Sequence, residues 1–120
     1  AILSAVAIPS YRDYTIRAQL IEATNALSDT RVRMEQFYAD NRTYGAGACG
    51  VAMPVLERFT LACATTAAGQ GYTITADGNT TVGGFRFSID QANTRSTLAW
   101  GASWGAVPAT GATRWLIRKG

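Results

Sequence analysis

The segment that most constrains this chain runs from Ser10 to about Tyr38. Ile16, Leu20, Ala23, Leu27, Met34 and Phe37 recur at spacings of three, four and seven, so they line one face of a helix, with Thr30 as the polar interruption. On the opposite face Asp13 with Arg17, and Asp29 with Arg33, stand acid-first at i,i+4, an order worth a few tenths of a kcal/mol per pair. About 30 residues at 1.5 Å each make a rod of roughly 45 Å. Such a rod is hard to enclose in a single domain of 120 residues, so one end is expected to project.

The projecting end is expected to be the first one. Residues 1–8 (AILSAVAI) carry no charge and run into Pro9. Alone they are too short to cross a bilayer, which takes about 20 apolar residues. No basic segment precedes them and no small-residue cleavage site follows, so they do not read as a secretory signal. The simplest account is the end of a longer apolar helix that begins upstream. Pro9 lacks a backbone donor and crowds the preceding turn, which makes it a hinge if residues 1–8 are helical. If they are not, Pro9 is an ordinary first helical residue.

After the helix the pattern changes. Residues 41–54 (NRTYGAGACGVAMP) read as a loop because glycines and Pro54 break any period. Phe59, Leu61 and Cys63 then alternate with small or polar residues, as do Tyr72, Ile74 and Ala76, and then Phe85, Phe87 and Ile89. Asp77-Gly78-Asn79 and residues 90–93 (DQAN) are turn signals. Residues 95–100 and 113–118 are expected to be the fourth and last strands, separated by a Gly/Ala/Pro stretch that carries Trp104. One long helix followed by a meander predicts an α+β domain, a long N-terminal α-helix packed against an antiparallel β-sheet. The expected boundaries are a stem end at 1–9 and a head at 10–120, with helix to about 40, loop 41–54 and sheet 55–120.

Three stretches carry a resemblance. Residues 5–14 (AVAIPSYRDY), 17–27 (RAQLIEATNAL) and 33–44 (RMEQFYADNRTY) are similar to the stem, helix and helix exit of PilE-like type IV pilins. The likeness is specific over about the first 44 residues and general beyond them. It implies the pilin fold, a bacterial inner-membrane anchor before assembly, and an extracellular filament of this subunit or other pilins. It further implies that Ala1, Ile2, Leu3, Ser4, Ala5, Val6, Ala7, Ile8, Pro9, Tyr11 and Tyr14 mediate filament assembly. The small residues among them let helices approach closely. The chain lacks the cysteine pair that many relatives carry near the C-terminus.

An exported location, implied by the same resemblance, makes Cys49 and Cys63 the expected disulfide. It would close a loop of about 15 residues, for which chain entropy gives about 3 kcal/mol. The alternative is two buried free thiols.

Catalysis has little to work with. Histidine is absent, the single lysine is Lys119, and only Glu57, Asp77 and Asp90 supply carboxylates outside the helix. The expectation is no enzyme, no metal, no cofactor and no small-molecule substrate. A calcium site at Asp77, Asn79 and Asp90 would suit a secretion pseudopilin, but no acidic residue follows residue 96.

The net charge of +3 is uneven. Residues 10–42 balance, whereas Arg58, Arg86, Arg95, Arg114, Arg118 and Lys119 outweigh Glu57, Asp77 and Asp90. Arginines with aromatics can hold phosphates and stack on bases. The main reading is a structural pilus subunit supporting adhesion, motility or DNA uptake. The alternatives are a DNA-binding minor pilin, with Arg95, Trp104, Arg114, Arg118 and Lys119 as contacts, and a type II secretion pseudopilin. Trp104, in its glycine-rich loop, is the tryptophan expected at the surface, and Trp115 the one expected in the core.

Overall fold

A computed structural model describes residues 2–46 and 48–118, with side chains for all of these except 2–11 and 103. Helix α1 spans Ile2–Asn41 and is assigned without interruption through Pro9. At 1.5 Å per residue, 40 residues give about 60 Å, which is also the long axis of the molecule, 60 Å against 28 and 18 Å. The sheet covers only the second part of α1, and the helix projects toward residue 2. None of the described helices is long and apolar enough to cross a membrane.

The apolar stripe of α1 faces the sheet as its spacing requires. Ile16, Leu20, Ala23, Leu27 and Met34 are buried, and Phe37 is half-buried. Thr30 is buried among them because its hydroxyl donates to Ala26 O at 2.7 Å. A polar group can sit in a core when a backbone carbonyl satisfies it. Of the two expected i,i+4 pairs on the outer face, Asp29–Arg33 closes at 3.3 Å. A pair in the reverse order, Arg31–Glu35, stands at 3.9 Å.

Four antiparallel strands follow in sheet order 1-2-3-4: β1 (Phe59–Thr66), β2 (Gly71–Gly78), β3 (Arg86–Asp90) and β4 (Arg95–Ala99). Helix α1 packs over β2 and β3. The register sets Leu61 opposite Ala76, Cys63 opposite Ile74, Ile74 opposite Ile89, and Phe87 opposite Thr97. Side chains alternate across a strand, so this register collects the buried residues on the face toward α1. The β3–β4 turn falls at the expected residues. Asp90 Oδ1 accepts from Ala92 N at 3.0 Å and Thr94 N at 2.9 Å, and Asn93 takes φ 61°.

Residues 113–118 are not the last strand, and the sheet ends at Ala99 rather than running on to 120. Backbone groups must be paired, but their partners need not be backbone. Here Thr97 Oγ1 donates to Arg114 O at 2.7 Å and accepts from Leu116 N at 2.8 Å. Trp100 Nε1 donates to Leu116 O at 3.0 Å, and Ser96 Oγ to Ala112 O at 2.8 Å. Side chains of β4 and its end thus replace a ladder and lay the C-terminal segment over β4. Gly111 makes the approach feasible: a Cβ there would stand 2.6 Å from Val107 Cγ1 and 3.2 Å from Thr97 Cβ.

The disulfide joins Cys49 and Cys63 with Cα atoms 6.0 Å apart. It ties the glycine-rich loop after α1 to the middle of β1.

Candidate nucleic-acid interface

Between the C-terminal segment and α1 runs a groove of about 390 Å³ lined by Thr24, Arg95, Thr113, Arg114, Trp115 and Ile117. Thr24 comes from α1, where its hydroxyl donates to Ile21 O at 3.0 Å. Arg95 starts β4 and lies opposite Ile89, on the helix-facing side of the sheet beyond the covered core. Trp115 is half-buried, and its Nε1 donates to Ser88 O at 2.8 Å, which fixes the plane of the indole. Arg95 Cζ sits 4.8 Å from the centroid of that ring. A guanidinium over an indole is held by the ring quadrupole and keeps its charge.

The electrostatics of the groove are one-sided. No acidic residue follows Asp90 in the chain, and Asp90 faces the backbone of its own turn. Among the described residues the carboxylate partners go to Arg31, Arg33, Arg58 and Arg86, not to Arg95, Arg114 or Arg118. These three arginines are exposed. Two arginines and an aromatic ring converge on one concavity, with a third arginine further along the segment, an arrangement suited to anions that carry flat rings.

Two of the sequence-predicted contacts, Arg95 and Arg114, therefore meet at the groove. Arg118 is exposed on the same segment without lining it, and Lys119 lies outside the described residues. Trp104 is a correction: it is only 7% exposed. The one-turn helix Ala102–Trp104 folds its ring inward, edge-on to Phe85 at 5.1 Å and to Trp100 at 5.2 Å. Loops run over the surface as a rule, but a large aromatic beside an uncovered Phe85 gains more by burial. Trp115, expected in the core, is half-buried: it packs against the core and also forms part of the groove wall. Sequence reasoning missed Thr24, Thr113 and Ile117 as well. The adjacency of Trp115 to Arg114 was the available signal.

The acidic residues weighed for calcium are engaged elsewhere. Asp77 is in β2 rather than in a turn, and it pairs with Arg86 directly across the β2–β3 ladder. The described residues contain no group of three Cys, Asp or Glu side chains that could hold a metal ion. A second polar cluster sits at the other end of the sheet. Glu35 accepts from Tyr44 at 3.2 and 3.1 Å and from Tyr72 at 3.4 Å. Burial first, then the adjacent Glu35 charge, pushes the Tyr72 hydroxyl well above its ordinary range. Tyr44 shifts the same way, with burial again the larger cause. Tyr38, Tyr44 and Tyr72 pack ring to ring, at 4.6 Å for each neighbouring pair. This cluster anchors the helix exit to β2.

Of the residues expected to build filaments, Tyr14 is 68% exposed. Ala1 and the side chains of Ile2, Leu3, Ser4, Ala5, Val6, Ala7, Ile8, Pro9 and Tyr11 lie outside the description.

Comparison with known proteins adds a family. The model described as "Type IV minor pilin ComP, DNA uptake sequence receptor" matches residues 9–96. Fimbrial protein EcpC of Eikenella corrodens is 34% identical over 77 residues, 62% of this chain and 50% of that protein. The chain thus spans about half the length of this curated relative. A type IV pilin from Shewanella oneidensis superposes with a TM-score of 0.56 at 19% identity, covering 80% of this chain and 94% of that one. At such identity the likeness speaks for the fold alone. Thr113, Arg114, Trp115 and Ile117 stand beyond the stretch that the family matches.

Proposed function

This chain belongs to the type IV minor pilin family described as ComP, DNA uptake sequence receptor, and on that premise we propose that its head binds DNA through the basic groove between α1 and the C-terminal segment. Type IV pilins are structural proteins without catalytic centres, so the function at issue is recognition and assembly. The observation that carries the reading is the convergence of Arg95 and Arg114 on one groove with no carboxylate partner among the described residues. Cationic side chains on a phosphate backbone release condensed counterions, and that release supplies most of the affinity at low salt.

The test is binding of the intact chain to a mixed-sequence duplex, followed by fluorescence anisotropy from about 50 to 200 mM salt. The expected logarithmic slope is roughly −0.9 per phosphate contacted, and Arg114→Ala should reduce it by about one contact. A chain that ignores the duplex at low salt does not bind duplex DNA through this groove.

Assembly is the second half of the proposal. The apolar residues at the start of α1 associate with other pilins in a filament, after anchoring the subunit in the bacterial inner membrane. The finished filament is extracellular. Tyr14, Ile21 and Val32 remain exposed on the side of α1 away from the sheet, a face that favours contact with neighbouring helices.

A further inference from the structure

Within the DNA-binding reading, on which this inference rests, the groove has a feature that phosphate contact does not require. Arg95 Cζ sits over an indole, 4.8 Å from its centroid, and that indole is tied to the Ser88 carbonyl. The exposure of Arg95 leaves the rest of its guanidinium open to an incoming group. Ile117 adds apolar surface to a groove whose lining is otherwise mostly polar. The volume of about 390 Å³ falls in the range of small-molecule sites, about 300–1,000 Å³.

A rim of lysines would serve a duplex equally well, since a duplex presents phosphates and base edges outward and keeps its ring faces stacked. A guanidinium held against an aromatic ring, with Ile117 beside it, instead suits a ring that has left the stack. Arginine is also the cation that combines charge with a stacking surface. The geometry points to a subsite for one unpaired nucleobase of single-stranded or frayed DNA, its ring against Arg95 and its phosphate on Arg114. The head would then prefer a strand or a strand end over an intact duplex.

The experiment compares three probes on the full chain: a mixed-sequence single strand, the same length of abasic deoxyribose-phosphate strand, and a duplex. The single strand should bind about tenfold tighter than the abasic strand, since base stacking on aromatic and guanidinium planes is worth about 1–3 kcal/mol. Arg95→Lys keeps the charge and removes the plane. It should erase that margin, read as the ratio of single-strand to abasic-strand affinity. Trp115→Phe, which retains a ring but loses the bond to Ser88, should fall between the two. If the single strand and the abasic strand bind alike, the base subsite is overturned and the DNA reading stands. If Arg95→Lys changes nothing, or weakens all three probes together, the subsite is likewise overturned. If none of the probes binds, both readings fall.

Discussion

Arg95 of β4 lies over the indole of Trp115 in the C-terminal segment, 4.8 Å from the ring centroid. Neither element could hold the pair alone. The segment reaches the ring's position because Thr97 ties down the backbone on both sides of Trp115, at Arg114 O and Leu116 N. A hydroxyl that both donates and accepts thus sets the geometry of the basic groove.

Thr97 itself has little room to move, and Gly111 is the position that reveals this. Gly111→Ala puts a methyl 2.6 Å from Val107 Cγ1 and 3.2 Å from Thr97 Cβ. Overpacking of this kind costs about 1–3 kcal/mol. The variant should melt earlier and, measured well below its melting point, should also bind DNA less tightly. Unchanged melting would mean that the segment yields freely.

The two tryptophans read in opposite senses can be separated by mutation. Trp104→Ala opens a cavity beside Phe85 and Trp100 and should cost about 3–5 kcal/mol. At a temperature where the variant stays folded, DNA affinity should match that of the parent. A selective loss of binding with unchanged stability would return Trp104 to the interface.

Cys49 and Cys63 lie 14 positions apart, and their bond restrains the unfolded chain. Replacing both with serine should cost about 3 kcal/mol, or roughly 10–15 °C in melting temperature. Mass spectrometry without reductant should show the native chain lighter by two hydrogens. Two free thiols would contradict the link between loop and β1.

Alkaline pH should loosen the helix exit. Burial raises the folded pKa of Tyr72 above its value in the unfolded chain, which is near 10. The unfolded state therefore loses this proton first. The stabilisation is complete below about pH 10 and is lost as pH rises toward the folded value. Melting temperature followed from pH 8 to 11.5 should hold and then fall, and Tyr72→Phe should flatten the fall. A curve of the same shape in Tyr72→Phe would assign the alkaline loss to other groups.

Assembly has its own variant. Ala5→Asp places a charge in the apolar start of α1, where burial without a partner is costly. Filaments should be lost while the soluble head keeps its melting temperature. Filaments that persist would argue against packed stems.

The helix, the first four strands and the β3–β4 turn were legible because each rests on local periodicity. A stripe at three and four, or alternation at two, states which side must leave water. The register of the sheet follows from the same rule, since slipping it by one residue would turn Ile74 and Phe87 outward. Residues 113–118 alternate as a strand does, yet they form none, because their hydrogen bonds go to the side chains of Thr97 and Trp100.

What the sequence by itself determined is the long helix, its buried face, the antiparallel meander and the basic excess of the second part. These are properties of neighbours along the chain, where side-chain period and charge count suffice. Only the tertiary structure decided that Trp104 is buried, and that Arg95 and Arg114 share one groove with the half-buried Trp115. Burial of an aromatic and the meeting of distant charges depend on what folds against them. For Trp104 that was Phe85 and Trp100, and for Trp115 it was the edge of the sheet beside α1.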